Sequence, residues 1–189
     1  MSMTSNLRQL GVAVRVLLVF TVVLGVVYPL FMTGAAQALF HGNANGSIVT
    51  VNGKPVASDL IGQEYKGAQW FQTRPSAVNY NGEGSGASQY GPNNPELVKL
   101  IDQRRQEVAK FNGVAPAQVP PDAVTASGSG LDPGISPAYA AIQVARVARE
   151  RGLSVDRVKQ LVKDNTHGRV LGFLGEPYVN VVTLNAALA

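Results

Sequence analysis

Residues 16–40 read VLLVFTVVLGVVYPLFMTGAAQALF, 25 positions without one charged side chain. At about 1.5 Å per helical residue this run reaches past a hydrocarbon core of roughly 30 Å. The spacing therefore predicts one membrane-spanning helix over 16–40, with Val16, Leu24, Tyr28, Pro29 and Gly34 inside it. Arg8 and Arg15 precede it with no acidic residue, and a cationic flank is retained on the cytoplasmic side. Residues 1–15 are expected inside the cell and residues 41–189 outside. A cleaved signal peptide is the competing reading, because the cationic start, the run 16–27 and the tripeptide Ala36-Gln37-Ala38 all suit one. The run outlasts a usual signal core of about 7 to 15 residues, which favours an uncleaved anchor. Gly25 and Gly34 leave room for a partner helix to approach.

Composition agrees with one anchor and one domain. The chain has 189 residues, enough for a single ordinary domain beyond the helix and too few for a second large one. Hydrophobic residues make up 46% and charged residues only 15%, which excludes a disordered chain. There is no cysteine, so disulfides, thiolate metal sites and a cysteine nucleophile are excluded. The net charge is +4; once Arg8 and Arg15 are set aside, the remaining 14 basic residues face all 12 acidic ones. That balance gives no sign of nucleic-acid binding.

Downstream, the pattern predicts a mixed α/β domain. SIVTV at 47–51, Asn52-Gly53 and Lys54-Pro55-Val56 read as a hairpin around a type I′ turn. Residues 72–95, rich in Gly, Ser, Asn and Pro, show no periodicity and read as a long loop. Asn94-Pro95-Glu96 opens a helix that Asn112-Gly113 stops, a second helix runs from Ser136-Pro137 to Gly152, and Ser154 caps a third. YVNVVTL at 178–184 reads as a buried strand.

Catalytic patterns are thin. A Ser-His-Asp set assembled from Ser127 or Ser129, His167 and Asp132 lacks the G-x-S-x-G context. The two histidines, His41 and His167, make a poor metal site, and no metal ligand is assigned. Ala126 to Gly130 (ASGSG) offers backbone N–H groups to a phosphate, but the P-loop pattern is missing, and a tight loop leading into a helix accounts for it. Trp70, Phe71, Tyr80 and Tyr90 read as core or loop anchors, and Arg146, Arg149 and Arg151 as a solvated helix face. A membrane-tethered hydrolase and a module binding a small ligand through 72–95 are the alternatives from other functional classes.

A series of short pieces stands in a fixed order along the chain: Tyr28-Pro29, Thr33-Gly34, Asn45-Gly46-Ser47, Ile61-Gly62-Gln63, Arg74-Pro75-Ser76-Ala77 and Ser85-Gly86-Ala87-Ser88. It continues through VTASGSGLDP at 124–133, Ile135-Ser136-Pro137, Gln143, Arg146-Val147-Ala148, LGFLGEP at 171–177 and Val179-Asn180-Val181. In these pieces nearly the whole chain resembles the C subunit of the Kdp potassium-transporting P-type ATPase of bacteria and archaea. Two positions depart from it: Gly134 follows Asp132-Pro133 where members often carry His, and Asn165-Thr166-His167 places its histidine differently.

The resemblance implies a non-catalytic accessory subunit of a high-affinity potassium uptake pump, single-pass in the bacterial inner membrane. Its implied partners are a channel-like potassium-translocating subunit, a P-type ATPase subunit and a very small fourth subunit. ATP and potassium act in that complex, and no cofactor is bound by this chain alone. The D-K-T-G phosphorylation motif is missing, the nearest string being Asp164-Asn165-Thr166-His167-Gly168. One mechanism attached to the family is a catalytic chaperone that raises ATP affinity, with Gln143 and the segment Ser127, Gly128, Ser129 and Gly130 near the nucleotide. The orientation read from the arginines puts those residues across the membrane from ATP. Gln143 also shares a polar helix face with Arg146 and Glu150 at ordinary helical spacing. The second mechanism, an exported domain capping the outer mouth of the channel-like subunit, fits that orientation.

Overall fold

The computed structural model describes residues 3–189, with side chains from residue 6 onward. The chain divides into two units, one ending at Ser47 and the other Ile48–Ala189.

In the first unit, helix α1 (Met3–Val22) passes through a π-helical turn (Val23–Val27) into helix α2 (Tyr28–Leu39). Pro29 has no N–H to offer the Gly25 carbonyl, and the widened turn falls where that donor is missing. The stretch Asn6–Leu39 is long and apolar enough to cross a membrane, and its most apolar window has no residue buried against protein. The helix begins well before Val16 because nothing between Met3 and Arg15 breaks it, so its polar start extends beyond the apolar run. Phe40, at φ −138°, ends α2, and a short helix α3 (His41–Ala44) follows. Gln37 and Asn45 exchange side-chain hydrogen bonds at 3.1 and 3.3 Å across that corner.

The second unit is mixed α/β. Strands β1 (Ile48–Val51) and β2 (Lys54–Ser58) form the expected hairpin, with Asn52 and Gly53 at φ 51° and 76° and a bulge between Val49 and Thr50. Helix α4 (Pro95–Asn112) starts at Asn94, whose side chain accepts from the Glu96 N–H, and stops at Gly113 in the left-handed region. Helix α5 (Pro137–Arg151) starts at Ser136 and ends at Gly152; helix α6 (Val155–Asp164) is capped by Ser154. These starts and stops match the sequence reading. Three short strands, β3 (Gly134–Ile135), β4 (Thr166–His167) and β5 (Tyr178–Asn180), pair antiparallel in the order β3–β5–β4.

The expected strand over 178–184 ends early. Asn180 turns its side-chain oxygen onto the N–H groups of Val182 (3.0 Å) and Thr183 (3.2 Å), which starts helix α7 (Val181–Leu188). A short, largely apolar run suits a buried helix as well as a buried strand, and the Asn cap decides between them.

The core gathers around α5. Ala140, Val144, Val147 and Ala148 pack with Val158 and Leu161 of α6, Val179 of β5, Val181 and Leu184 of α7, Ile135 and Phe71. The alanines let α5 approach its neighbours closely. Residues 72–94 contain no helix or strand, yet they are pinned. Asn185 accepts from the Phe71 N–H and donates to its carbonyl, both at 2.9 Å, and the Tyr80 hydroxyl bonds both Thr73 and the Arg74 carbonyl. Phe71 and Tyr80 are thus anchors, whereas Tyr90 is exposed.

Candidate functional site

Gln143 and Arg146 stand on the buried face of α5, at 0% and 1% exposure. The Gln143 side-chain oxygen accepts from the Gln72 N–H (2.7 Å) and from Arg146 Nη2 (2.7 Å), while its amide nitrogen donates to the Gln72 carbonyl (3.1 Å). Arg146 Nε donates to Asn112 Oδ1 at 2.9 Å, and Nη1 donates to the carbonyls of Trp70 (2.9 Å) and Ala68. Its guanidinium also lies 4.4 Å from the centre of the Phe111 ring.

This corrects the reading of a solvated basic face. Arg149 is exposed, but Arg151 lies 3.9 Å over the Trp70 ring and donates to the Gln69 carbonyl, and Arg146 is buried outright. The stretch 68–72 has no strand or helix partner for its backbone, so buried carbonyls there need donors, and a guanidinium carries five. All four Arg146 acceptors are neutral. Burial pushes its pKa down to about 10, with Tyr139 the leading opposing influence, and it stays charged at neutral pH. Gln143 has no exposed surface, so an outside group reaches it only if the packing around it opens.

The segment 126–132 is a strut between two stretches of loop. The Ser127 N–H donates to the Pro75 carbonyl (3.3 Å), and the Ser129 carbonyl accepts from the Gly86 N–H (2.9 Å) and Ser85 Oγ (3.2 Å). The Leu131 carbonyl accepts from the Gly62 N–H at 2.7 Å. Gly130 has φ 71°, and a Cβ there would lie 2.5 Å from Val78 Cγ2. Ser127 and Gly130 are buried and Gly128 is exposed. Gln143 and this strut hold the same loop, Gln143 at Gln72 and Ser127 at Pro75.

Beside the strut lies a cleft of about 590 Å³ whose lining includes Arg74, Asp122, Asp132, His167 and Tyr178. The His167 and Tyr178 rings stack at 4.8 Å. Asp132 is engaged by Arg74 Nη1 (3.3 Å) and the Gly134 N–H (2.8 Å), and Ser129 Oγ accepts from the Leu131 N–H. No hydrogen bond joins Ser127 or Ser129 to His167, or His167 to Asp132, among the described residues. Among those residues no three His, Asp or Glu side chains group as ligands of a metal ion. Asp122, which accepts from the backbone N–H and hydroxyl of Ser136 at 2.7 and 2.9 Å, was not singled out from sequence, and the side-chain bonds of Asn112 and Asn185 were not foreseen there. Their partners are far away in the chain, and nothing local marks them.

The anchor residues Val16, Leu24, Tyr28, Pro29 and Gly34 all fall within the continuous apolar stretch Asn6–Leu39 of the first unit.

Comparison with known proteins matches residues 10–189 to the family described as K+-transporting ATPase, c chain (KdpC). A protein of Kineococcus radiotolerans is 53% identical over 100% of this chain and 96% of its own length. Relatives from Methylococcus capsulatus, at 50% over 93% of this chain and 94% of theirs, and Caldanaerobacter subterraneus, at 49% over 93% and 91%, are similar too. All three carry the name Potassium-transporting ATPase KdpC subunit.

Proposed function

The chain belongs to the KdpC family, the c chain of K+-transporting ATPases, and we propose that it is an accessory subunit needed for assembly and activity of an ATP-driven potassium pump. The observation that carries the reading is the reach of the family match, which takes in both the apolar helix and the α/β unit. In this reading the helix remains as a single-pass anchor with its N-terminus in the cytoplasm, and the α/β unit stands outside. It works beside a channel-like subunit, the P-type ATPase subunit and a small fourth subunit, without reaction chemistry of its own.

An effect of this subunit on ATP affinity then acts at a distance. Gln143 is spent on Gln72 and Arg146, so it sets the position of the loop 72–75 and of the strut at Ser127, Gly128, Ser129 and Gly130. That surface biases one conformational state of the pump, and ATP affinity follows by linkage. Deleting the chain is expected to abolish both the assembled pump and potassium-stimulated ATP hydrolysis. Normal assembly and hydrolysis without it would overturn the proposal. Orientation is tested by single cysteines at Glu83 and Asn6 with an impermeant thiol reagent. Labelling of position 83 in intact cells, and of position 6 only after permeabilisation, is expected; the reverse pattern would refute it.

A further inference from the structure

We propose that residues 169–176 form a docking finger that seats in an apolar hollow on the extramembrane face of another membrane-embedded subunit of the pump. The proposal rests on the accessory-subunit reading and adds the surface through which it operates.

The finger is built by its own backbone and needs no support from the core. Val170 and Leu174 exchange N–H to carbonyl hydrogen bonds at 2.9 and 3.0 Å, the Gly172 N–H donates to the Arg169 carbonyl at 3.1 Å, and the Arg169–Glu176 ion pair at 2.6 Å closes the base. The tip presents Val170, Leu171, Phe173 and Leu174 at 66, 80, 67 and 50% exposure. None of the four belongs to the core cluster. Leu171 sits at φ 53°, where an L side chain with a Cβ costs about 1 kcal/mol and Gly or Asn would be easier. Within this unit an exposed leucine at that angle costs stability and contributes no burial. Contiguous exposed apolar surface of this kind marks an interaction site.

Charge and composition select the partner. The only charged residues of the finger neutralise each other at its base, and residues 170–175 contain no Lys, Arg, Trp or Tyr. A surface made for lipid headgroups carries free cations and interfacial Trp or Tyr, so the bilayer gains little here. A neutral apolar tip on a closed hairpin fits a desolvated pocket in a protein, where one or two large side chains carry most of the affinity. Chain length restricts where that protein lies. Only residues 40–47 separate the end of α2 from the start of β1, and fully extended they span at most about 28 Å. That tether keeps the α/β unit within reach of subunits embedded in the same membrane, where the accessory-subunit reading puts its partner.

The test uses the full chain co-expressed with the remaining pump subunits. Leu171→Asp combined with Phe173→Asp is expected to lower recovery of the assembled pump through this chain at least tenfold, with the unfolding midpoint of the variant unchanged. In parallel, Leu171→Cys carrying a benzophenone is irradiated in the assembled pump, and an adduct on another membrane subunit is expected. Unchanged recovery of the double variant, an adduct on lipid alone, or an intact pump with no adduct would each overturn the finger. Failure of the unsubstituted chain to co-purify with any pump subunit would instead overturn the accessory-subunit reading beneath it.

Discussion

Replacing Gln143 by Ala removes a side chain that is fully buried and makes three hydrogen bonds. The Gln72 N–H, the Gln72 carbonyl and one Arg146 N–H all lose their partner. Leaving a buried polar group unpaired costs about 1–3 kcal/mol. Gln72 is only half-buried, and water entering the vacated space recovers part of the loss, so the low end of that range applies. Three groups at about 1 kcal/mol each give a destabilisation of about 3 kcal/mol. For a folded unit of this size that lowers the unfolding midpoint by about 10 °C. Trp70, the sole tryptophan, reports on the site directly, because its carbonyl accepts from Arg146 and its ring lies under Arg151. The assay is heat unfolding of the full-length chain in detergent, followed by Trp70 fluorescence. Gln143→Glu keeps an acceptor for Gln72 and sets a carboxylate against the buried guanidinium, so it is expected to lose less than Ala does. A midpoint within about 2 °C of wild type for Gln143→Ala would refute the clamp, since one lost hydrogen bond alone costs more.

Gly130→Ala is expected to destabilise by about 2 kcal/mol or more, because φ 71° and a Cβ 2.5 Å from Val78 Cγ2 both oppose the methyl; chemical denaturation reads the loss. Asn180→Ala removes the cap of α7 and the 2.7 Å bond to the Asp59 carbonyl, for about 2 kcal/mol in the same assay. The domain should lose stability above about pH 10, where unfolded tyrosines begin to ionise. Burial holds Tyr65, Tyr80 and Tyr139 above the usual tyrosine range, so their contribution is complete below that pH and declines above it. Arg146, whose pKa burial lowers to about 10, works the opposite way above that pH, but it is one group against three. Midpoints measured from pH 9 to 11 should fall, and Tyr139→Phe should flatten the fall.

The parts of the fold that were legible in sequence are those fixed by neighbours in the chain. Asn94, Ser136 and Ser154 cap helices a few residues away, Gly113 and Gly152 end them, and Asn52-Gly53 makes its own turn. The strand misread over 178–184 turned on one local signal, the Asn180 side chain, in a run whose apolar pattern fits both a strand and a helix. The clamp was hidden for another reason. Gln143 and Arg146 at a three-residue spacing, with Glu150 four further on, look like an ordinary polar face, and only the packing of 68–72 against α5 turns that face inward. Strands β3 and β4, each two residues long, exist only as partners of β5 and carry no pattern of their own.

The most direct test of the account is potassium-stimulated ATP hydrolysis by the pump rebuilt from its other subunits with the full chain, with residues 1–47 alone, or with neither. The account expects hydrolysis only with the full chain, because the α/β unit carries the accessory role and the helix only tethers it. Full hydrolysis with residues 1–47 alone, or with neither, would contradict it.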